Sequence, residues 1–172
     1  MWAAVSTAAA LALAGCTGAT GPDGSAAPKP ANDFCSAMLA LTAAAPPANT
    51  ALNDLLTSMN NPDIFLPGAS LESVNTAGQA VVDNGGAYAT AIEGAKQWGD
   101  DSLSADFTAM RDFWTVYAVP LGQVAVDSTT YDALIAGARP LIESSTTADL
   151  TTAEAAAADR VAVAYKDACS SS

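Results

Sequence analysis

Two long segments of this sequence repeat their apolar residues at alternating spacings of three and four, and that pattern leaves few folds open. From Ser70 to about Trp98 the series is Leu71, Val74, Gly78, Val81, Gly85, Tyr88, Ile92 and Ala95. From Leu103 to about Val126 it is Leu103, Phe107, Met110, Trp114, Tyr117, Leu121 and Val124. Such spacing sets one stripe along an α-helix and describes a seam between helices packed at a shallow angle. A glycine inside a helix costs about 1 kcal/mol relative to alanine. Gly78 and Gly85 lie on the first seam, opposite the bulky second one. They read as room for Phe107, Trp114 or Tyr117, and Gly85-Gly86 as a place where the helix bends. Gly99-Asp100-Asp101-Ser102 is the turn between the two helices, with Ser102 as N-cap. Pro120 inside the second is expected to kink it.

The flanking segments extend the pattern. Asn32 or Asp33 can cap a first helix carrying Phe34, Met38 and Leu41, which Pro46-Pro47 is expected to end after Ala45. Asn49 or Thr50 then opens a short helix with Leu52, Leu55, Leu56 and Met59 on one side, stopped at Asn60-Asn61-Pro62. Asp63 to Gly68 is unusually apolar for a connection; it either packs back over one end of the bundle or meets a partner. A later helix starts at Ser128 or Thr129, uses Tyr131, Leu134, Ile135 and Ala138, and is interrupted at Pro140. The last begins around Thr151, where Thr151 and Glu154 have capping-box spacing, and its apolar face is Ala157, Val161, Ala164, Tyr165 and Ala168. Val116 to Val126 is the only segment that competes as a strand, and its spacing fits helix better. The expected fold is all-α: a helical bundle of about four main helices with short extra ones, occupying residues 32–172.

Ahead of the bundle the chain changes character. Trp2 to Ala14 is uncharged and mostly Ala, Leu and Val. It is too short to cross about 30 Å of hydrocarbon but has the length of a signal-peptide apolar region. It ends in Leu13-Ala14-Gly15-Cys16: an apolar residue, two small residues, then cysteine. This resembles the lipobox of bacterial lipoproteins. The resemblance implies that residues 1–15 are a signal peptide, that the Cys16 sulfur carries a diacylglycerol group, and that the mature chain begins at Cys16 on the outer face of the cell membrane. Met1-Trp2-Ala3 lacks the basic residue such signals open with, so the natural start is expected upstream. Residues 16–31 then form a flexible tether, since Thr17 to Ala31 is Gly, Pro, Ser and Ala with no large apolar side chain.

Assigning Cys16 to lipid leaves two of the three cysteines, Cys35 and Cys169. They sit near the start of the first helix and near the end of the last, which in an up-down bundle with an even number of main helices meet at one pole. Export places the domain in an oxidising compartment. A Cys35–Cys169 disulfide is therefore expected.

The remaining composition speaks mainly by exclusion. The 172 residues carry a formal charge of −12 and no histidine. The acidity argues against nucleic acid, which needs clustered Lys and Arg, and against electrostatic docking on anionic lipid. The lack of histidine rules out a Ser-His-Asp triad and a His-ligated zinc site. No phosphate loop or Cys-x-x-Cys is present, and neither a cofactor nor a metal is expected. Asp100-Asp101 with Asp106 reads as favourable charge at a helix start, with a weak calcium site as the alternative. Glu72, Asp83 and Glu93 lie too far apart to act as a pair, and Glu143, Glu154 and Asp159 read as a solvated face. Large aromatics concentrate at Phe107, Met110, Phe113, Trp114 and Tyr117, joined by Tyr88 and Trp98. That cluster is either the core or an inter-helix cleft for an apolar or aromatic ligand, with Arg111 placed to anchor a carboxylate. The expected function is a non-enzymatic envelope lipoprotein, held to the membrane through its lipid and engaging a protein partner in the envelope. The alternative is a carrier that uses the cleft formed by Tyr88, Phe107, Met110, Arg111, Trp114 and Tyr117.

Overall fold

The computed structural model describes residues 34–66 and 68–169. The lipobox, the tether, the Asn32/Asp33 cap, Pro67 and the last three residues lie outside them. Within the described residues every regular element is helical: α1 (Phe34–Met59), α2 (Glu72–Lys96), α3 (Ser104–Asp112), α4 (Val119–Asp127), α5 (Tyr131–Ile142) and α6 (Ser145–Cys169). A π-helical turn, Phe113–Ala118, joins α3 to α4, so the two run as one rod. The bundle has four long rods, α1, α2, α3–α4 and α6, with α5 as a short extra helix. α2 packs against α1 on one side and the α3–α4 rod on the other, while α6 lies on α3 and touches α1.

The two seams lie in the core, together with the buried stripe of α1 and Leu134, Ala138, Ala157, Ala158 and Val161 of α5 and α6. Every residue of the first, from Leu71 to Ala95, is buried, and so are Phe107, Met110, Trp114, Tyr117 and Leu121 of the second. The glycines admit the close approach. A Cβ on Gly85 would lie 2.9 Å from Trp114 Cε3, so this glycine seats the indole as its spacing suggested. Gly78 serves a different neighbour: a Cβ there would meet Ala125 Cβ at 2.6 Å and the Gly122 carbonyl at 2.7 Å. α2 and α4 therefore cross almost backbone to backbone, with glycine on both sides.

Proline has less effect than expected. Pro46 and Pro47 do not end the first helix; α1 runs straight through them, and the expected second short helix is its continuation. The buried positions Leu41, Ala45, Ala48, Ala51, Leu52, Leu55 and Met59 keep helical spacing across the pair, while both prolines face solvent. Packing of that uninterrupted stripe on α2 outweighs two missing backbone donors. Pro140 likewise lies inside α5, which ends at Ile142, two residues later. Just before Pro120 the chain forms the π turn. The Val119 amide reaches back five residues to the Trp114 carbonyl, which changes the helical register just before the proline ring would press on the carbonyl four residues back.

Caps and connections refine the boundaries. Asp100, not Ser102, is the capping residue: its side chain accepts from the Ser102 amide at 2.9 Å and opens a 3-10 turn, Asp101–Leu103, that leads into α3. Thr130 caps α5 by accepting from the Ala133 amide. α6 begins six residues earlier than expected, at Ser145; Thr151 is not a cap but donates its hydroxyl to the Thr147 carbonyl inside the helix. The apolar loop packs back on the bundle, with Ile64 buried and Phe65 edge-on to Tyr131 at 4.9 Å, although Leu66 remains 61% exposed. Asn75 on α2 donates through Nδ2 to the carbonyls of Ala125, Val126 and Ser128, tying down the end of α4. The Cys35–Cys169 disulfide is formed, with the Cα atoms 5.7 Å apart and 134 residues of sequence separation. A closure of that length is worth roughly 4–5 kcal/mol in the loop-entropy model, an upper figure.

Candidate functional site

The aromatic layer stands at mid-bundle, where α2, the π turn and α6 meet. Tyr88 comes from α2, Phe107 and Met110 from α3, and Phe113, Trp114 and Tyr117 from the π turn. Phe113, Trp114, Tyr117 and Ala118 of the π turn are all buried. Tyr88 and Trp114 meet edge to face at 5.4 Å, Phe113 and Trp114 at 5.6 Å, and Phe113 tilts against Tyr117 at 5.4 Å. These are favourable quadrupole geometries between rings. Tyr88, Phe107, Met110 and Trp114 are closed to solvent. Trp98 takes no part; it stands 45% exposed beyond the end of α2.

Arg111 is already engaged. Its Nη1 donates to Glu93 Oε1 at 2.8 Å, and its Nε and Nη2 to Asp112 Oδ1 at 3.0 and 2.6 Å. Glu93, too distant in sequence to pair with another acid, thus finds its partner on the neighbouring helix. Asp106 lies in the first turn of α3, as the reading of favourable charge at a helix start expects, and it does more than that. It is buried and takes both Arg160 Nε and Nη2, with the shortest contact at 2.6 Å, which joins α3 to α6. With Asp106 paired and Asp100 capping a turn, the acidic group around Asp100 is used internally. Among the described residues no set of three His, Cys, Asp or Glu side chains is placed to hold a metal ion.

Two polar features of this layer carry no sequence signature as strong as the seams. The Trp114 indole Nε1 is buried without a hydrogen-bond partner in a layer otherwise sealed by rings. Glu154 does not lie on a solvated face. It is half-buried on α6 and close enough to Tyr88 for its charge to raise the phenol's pKa, which burial has already pushed well above its ordinary value. Burial first, and the charge of Asp159 second, push the Glu154 carboxyl up to about 7. Its register was visible: Glu154 precedes Ala157, Ala158 and Val161, the buried residues of α6, by three, four and seven positions. Glu143 and Asp159 do stay exposed, as expected.

Two open clefts lie away from this layer. One, of about 350 Å³, is lined by Asn61, Asp63, Ile64, Leu66 and neighbours at the apolar loop. The other, of about 590 Å³, runs along α1 and α2 past Asp54, Glu72, Thr76, Ala77 and Ala80. Neither is lined by a residue of the aromatic layer.

Comparison with family models, curated proteins and solved structures finds no match for the chain. The functional reading therefore rests on the residues themselves. Among the described residues no helix is long and apolar enough to cross a membrane.

Proposed function

We propose that this chain is a cell-envelope lipoprotein: a helical module anchored by lipid on Cys16 at the outer face of the cell membrane, acting by binding or interaction with an envelope partner and not by catalysis. The observation that carries the reading is the run Leu13-Ala14-Gly15-Cys16 at the end of an uncharged apolar stretch. The disulfide supports it from a separate direction. A bridge between the first and last helices suits an oxidising compartment, and it consumes the two cysteines other than Cys16. Two acyl chains, at about 0.8 kcal/mol per buried CH₂, would hold the protein firmly without a spanning helix.

The aromatic layer favours the interaction module over a small-molecule carrier. Its rings fill the space between α2, the π turn and α6, and Arg111 spends its donors on Glu93 and Asp112. Mass spectrometry of the mature protein tests the proposal: an N-terminal Cys16 bearing diacylglycerol is expected, and Cys16→Ala should move the protein from the membrane to the soluble fraction. A Cys16→Ala protein that stays with the membrane overturns it. A thermal-shift screen with lipids and aromatic acids separates the alternatives, because a carrier's ligand raises the melting temperature by mass action.

A further inference from the structure

The two open clefts are parts of one groove. Ser73 lines both, so the cleft at the apolar loop adjoins the trough between α1 and α2. Ile64 and Ala69 give apolar ground at the loop end, Ala77 and Ala80 along the trough, and Leu66 stands exposed beside Ile64. From Glu72 to Ala80 the trough follows α2 for about 12 Å, the rise of eight helical residues. That matches roughly four residues of extended chain, before the loop cleft is added. The charge of the groove has one sign. Asp63 lines the loop cleft, Asp54 and Glu72 line the trough, all three are exposed, and no lysine or arginine lines either part. Among the described residues none of these carboxylates has an ion-pair partner; the pairs run from Arg111, Arg139 and Arg160 to other acids.

From this arrangement we infer that the groove is the docking site for a cationic, apolar segment of a partner protein. An apolar side chain of that segment meets Ile64 and Leu66, and its lysines or arginines meet Asp63, Asp54 and Glu72. The inference deepens the interaction reading above and rests on it, though not on the lipid. Charge complementarity selects this occupant over the others. Anionic lipid and nucleic acid carry the same sign as the groove, and a second copy of the chain brings a formal charge of −12 of its own. A divalent ion lacks a ligand set, because among the described residues no three acidic side chains are placed to share one. The chain's own leading segment falls short. Its one cation within residues 1–33 is Lys29, five residues before Phe34, a backbone reach of at most about 18 Å. Asp54 lies twenty residues along α1 from Phe34, about 30 Å away. An apolar floor with acids along it and no cation of its own is complementary to a basic segment that carries an apolar residue.

Panning a randomised heptapeptide library against the oxidised full chain tests the inference, with the enriched peptides then titrated by fluorescence polarisation. The enriched sequences should combine Lys or Arg with a large apolar residue. Asp54→Asn/Glu72→Gln should weaken their binding roughly tenfold, and Leu66→Ser should weaken it several-fold. Asp149→Asn/Asp167→Asn removes the same charge from exposed positions on α6 and should leave binding unchanged. No enrichment, or enrichment of peptides without basic residues, overturns the inference. So does an equal loss in the two double variants, which would make the attraction one of net charge alone. A dimer in sedimentation equilibrium that Asp54→Asn/Glu72→Gln abolishes overturns it in favour of a second copy. If that variant fails to fold, amide shift changes in the native chain still decide: they should centre on Asp54, Ile64, Leu66 and Glu72, and changes centred elsewhere overturn the inference. Peptide binding is read without reference to Cys16, so failure here and failure of the membrane-anchoring test are separate results.

Discussion

At the scale of single residues, the bundle is governed by where a Cβ can be tolerated. Gly78, Gly85 and Gly86 lie within nine residues of one helix and predict three different outcomes. At Gly78 a methyl group would meet the Gly122 carbonyl and Ala125 Cβ, and backbone cannot step aside cheaply. Gly78→Ala should therefore destabilise by about 2–3 kcal/mol despite the better helix propensity of alanine. At Gly85 the obstacle is the Trp114 ring, boxed in by Tyr88 and Phe113, and a loss of about 1–2 kcal/mol is expected. At Gly86 nothing lies within 4 Å, so Gly86→Ala should stabilise by about 0.5–1 kcal/mol. Urea denaturation of the three variants checks the order. The sequence marked Gly78 and Gly85 as space for the opposite seam, and for Gly85 it also offered Trp114 among the neighbours. It did not single out Gly122, because only the crossing of α2 and α4 brings that backbone onto Gly78.

At the scale of elements, continuity of the buried stripe decides which local signals survive. The Pro46-Pro47 pair is among the strongest helix-stop signals in the chain, yet the apolar spacing from Leu41 to Met59 passes through it without a break. That spacing is present in the sequence, and its burial on α2 outweighs the two prolines. Because Pro47 is exposed and lies inside a formed helix, Pro47→Ala should raise stability by about 1–2 kcal/mol, measurable as a higher melting temperature. The π turn had no comparable signal: three apolar aromatics in Phe113, Trp114 and Tyr117 fit a regular helix as well as a widened one. Glu154 gives α6 a pH-dependent stability with a definite sign. Its folded-state carboxyl titrates at about 7 against an ordinary 4.5, so the fold holds the proton more tightly than the unfolded chain. The stabilisation is complete below the unfolded value and is lost as the pH rises through about 7. At pH 8, Glu154→Gln should be more stable than the native chain by on the order of 2–3 kcal/mol, and at pH 4 the two should unfold at similar urea concentrations.

At the scale of the whole molecule, the disulfide closes the chain from α1 to α6 and is the only covalent tie among the described residues. Reduction, or a Cys35→Ser/Cys169→Ser pair, should lower stability by about 2–5 kcal/mol in guanidinium titrations without altering the helical spectrum. The unreduced protein should yield neither of these two thiols on unfolding. The all-helical character of the chain and its two seam rods were determined by the sequence alone, because heptad-like spacing is a local property that each segment carries by itself. The pairing of Cys35 with Cys169 was also within reach, since an even number of antiparallel rods returns the last helix to the pole of the first. What only the tertiary structure decided are the interactions between rods: Arg160 on Asp106, Asn75 on the end of α4, and Arg111 on Glu93. Each joins residues far apart in the chain. Their chemistry depends on burial and on the rotation of one helix against its neighbour, quantities that a one-dimensional pattern bounds to a face but does not fix to a contact.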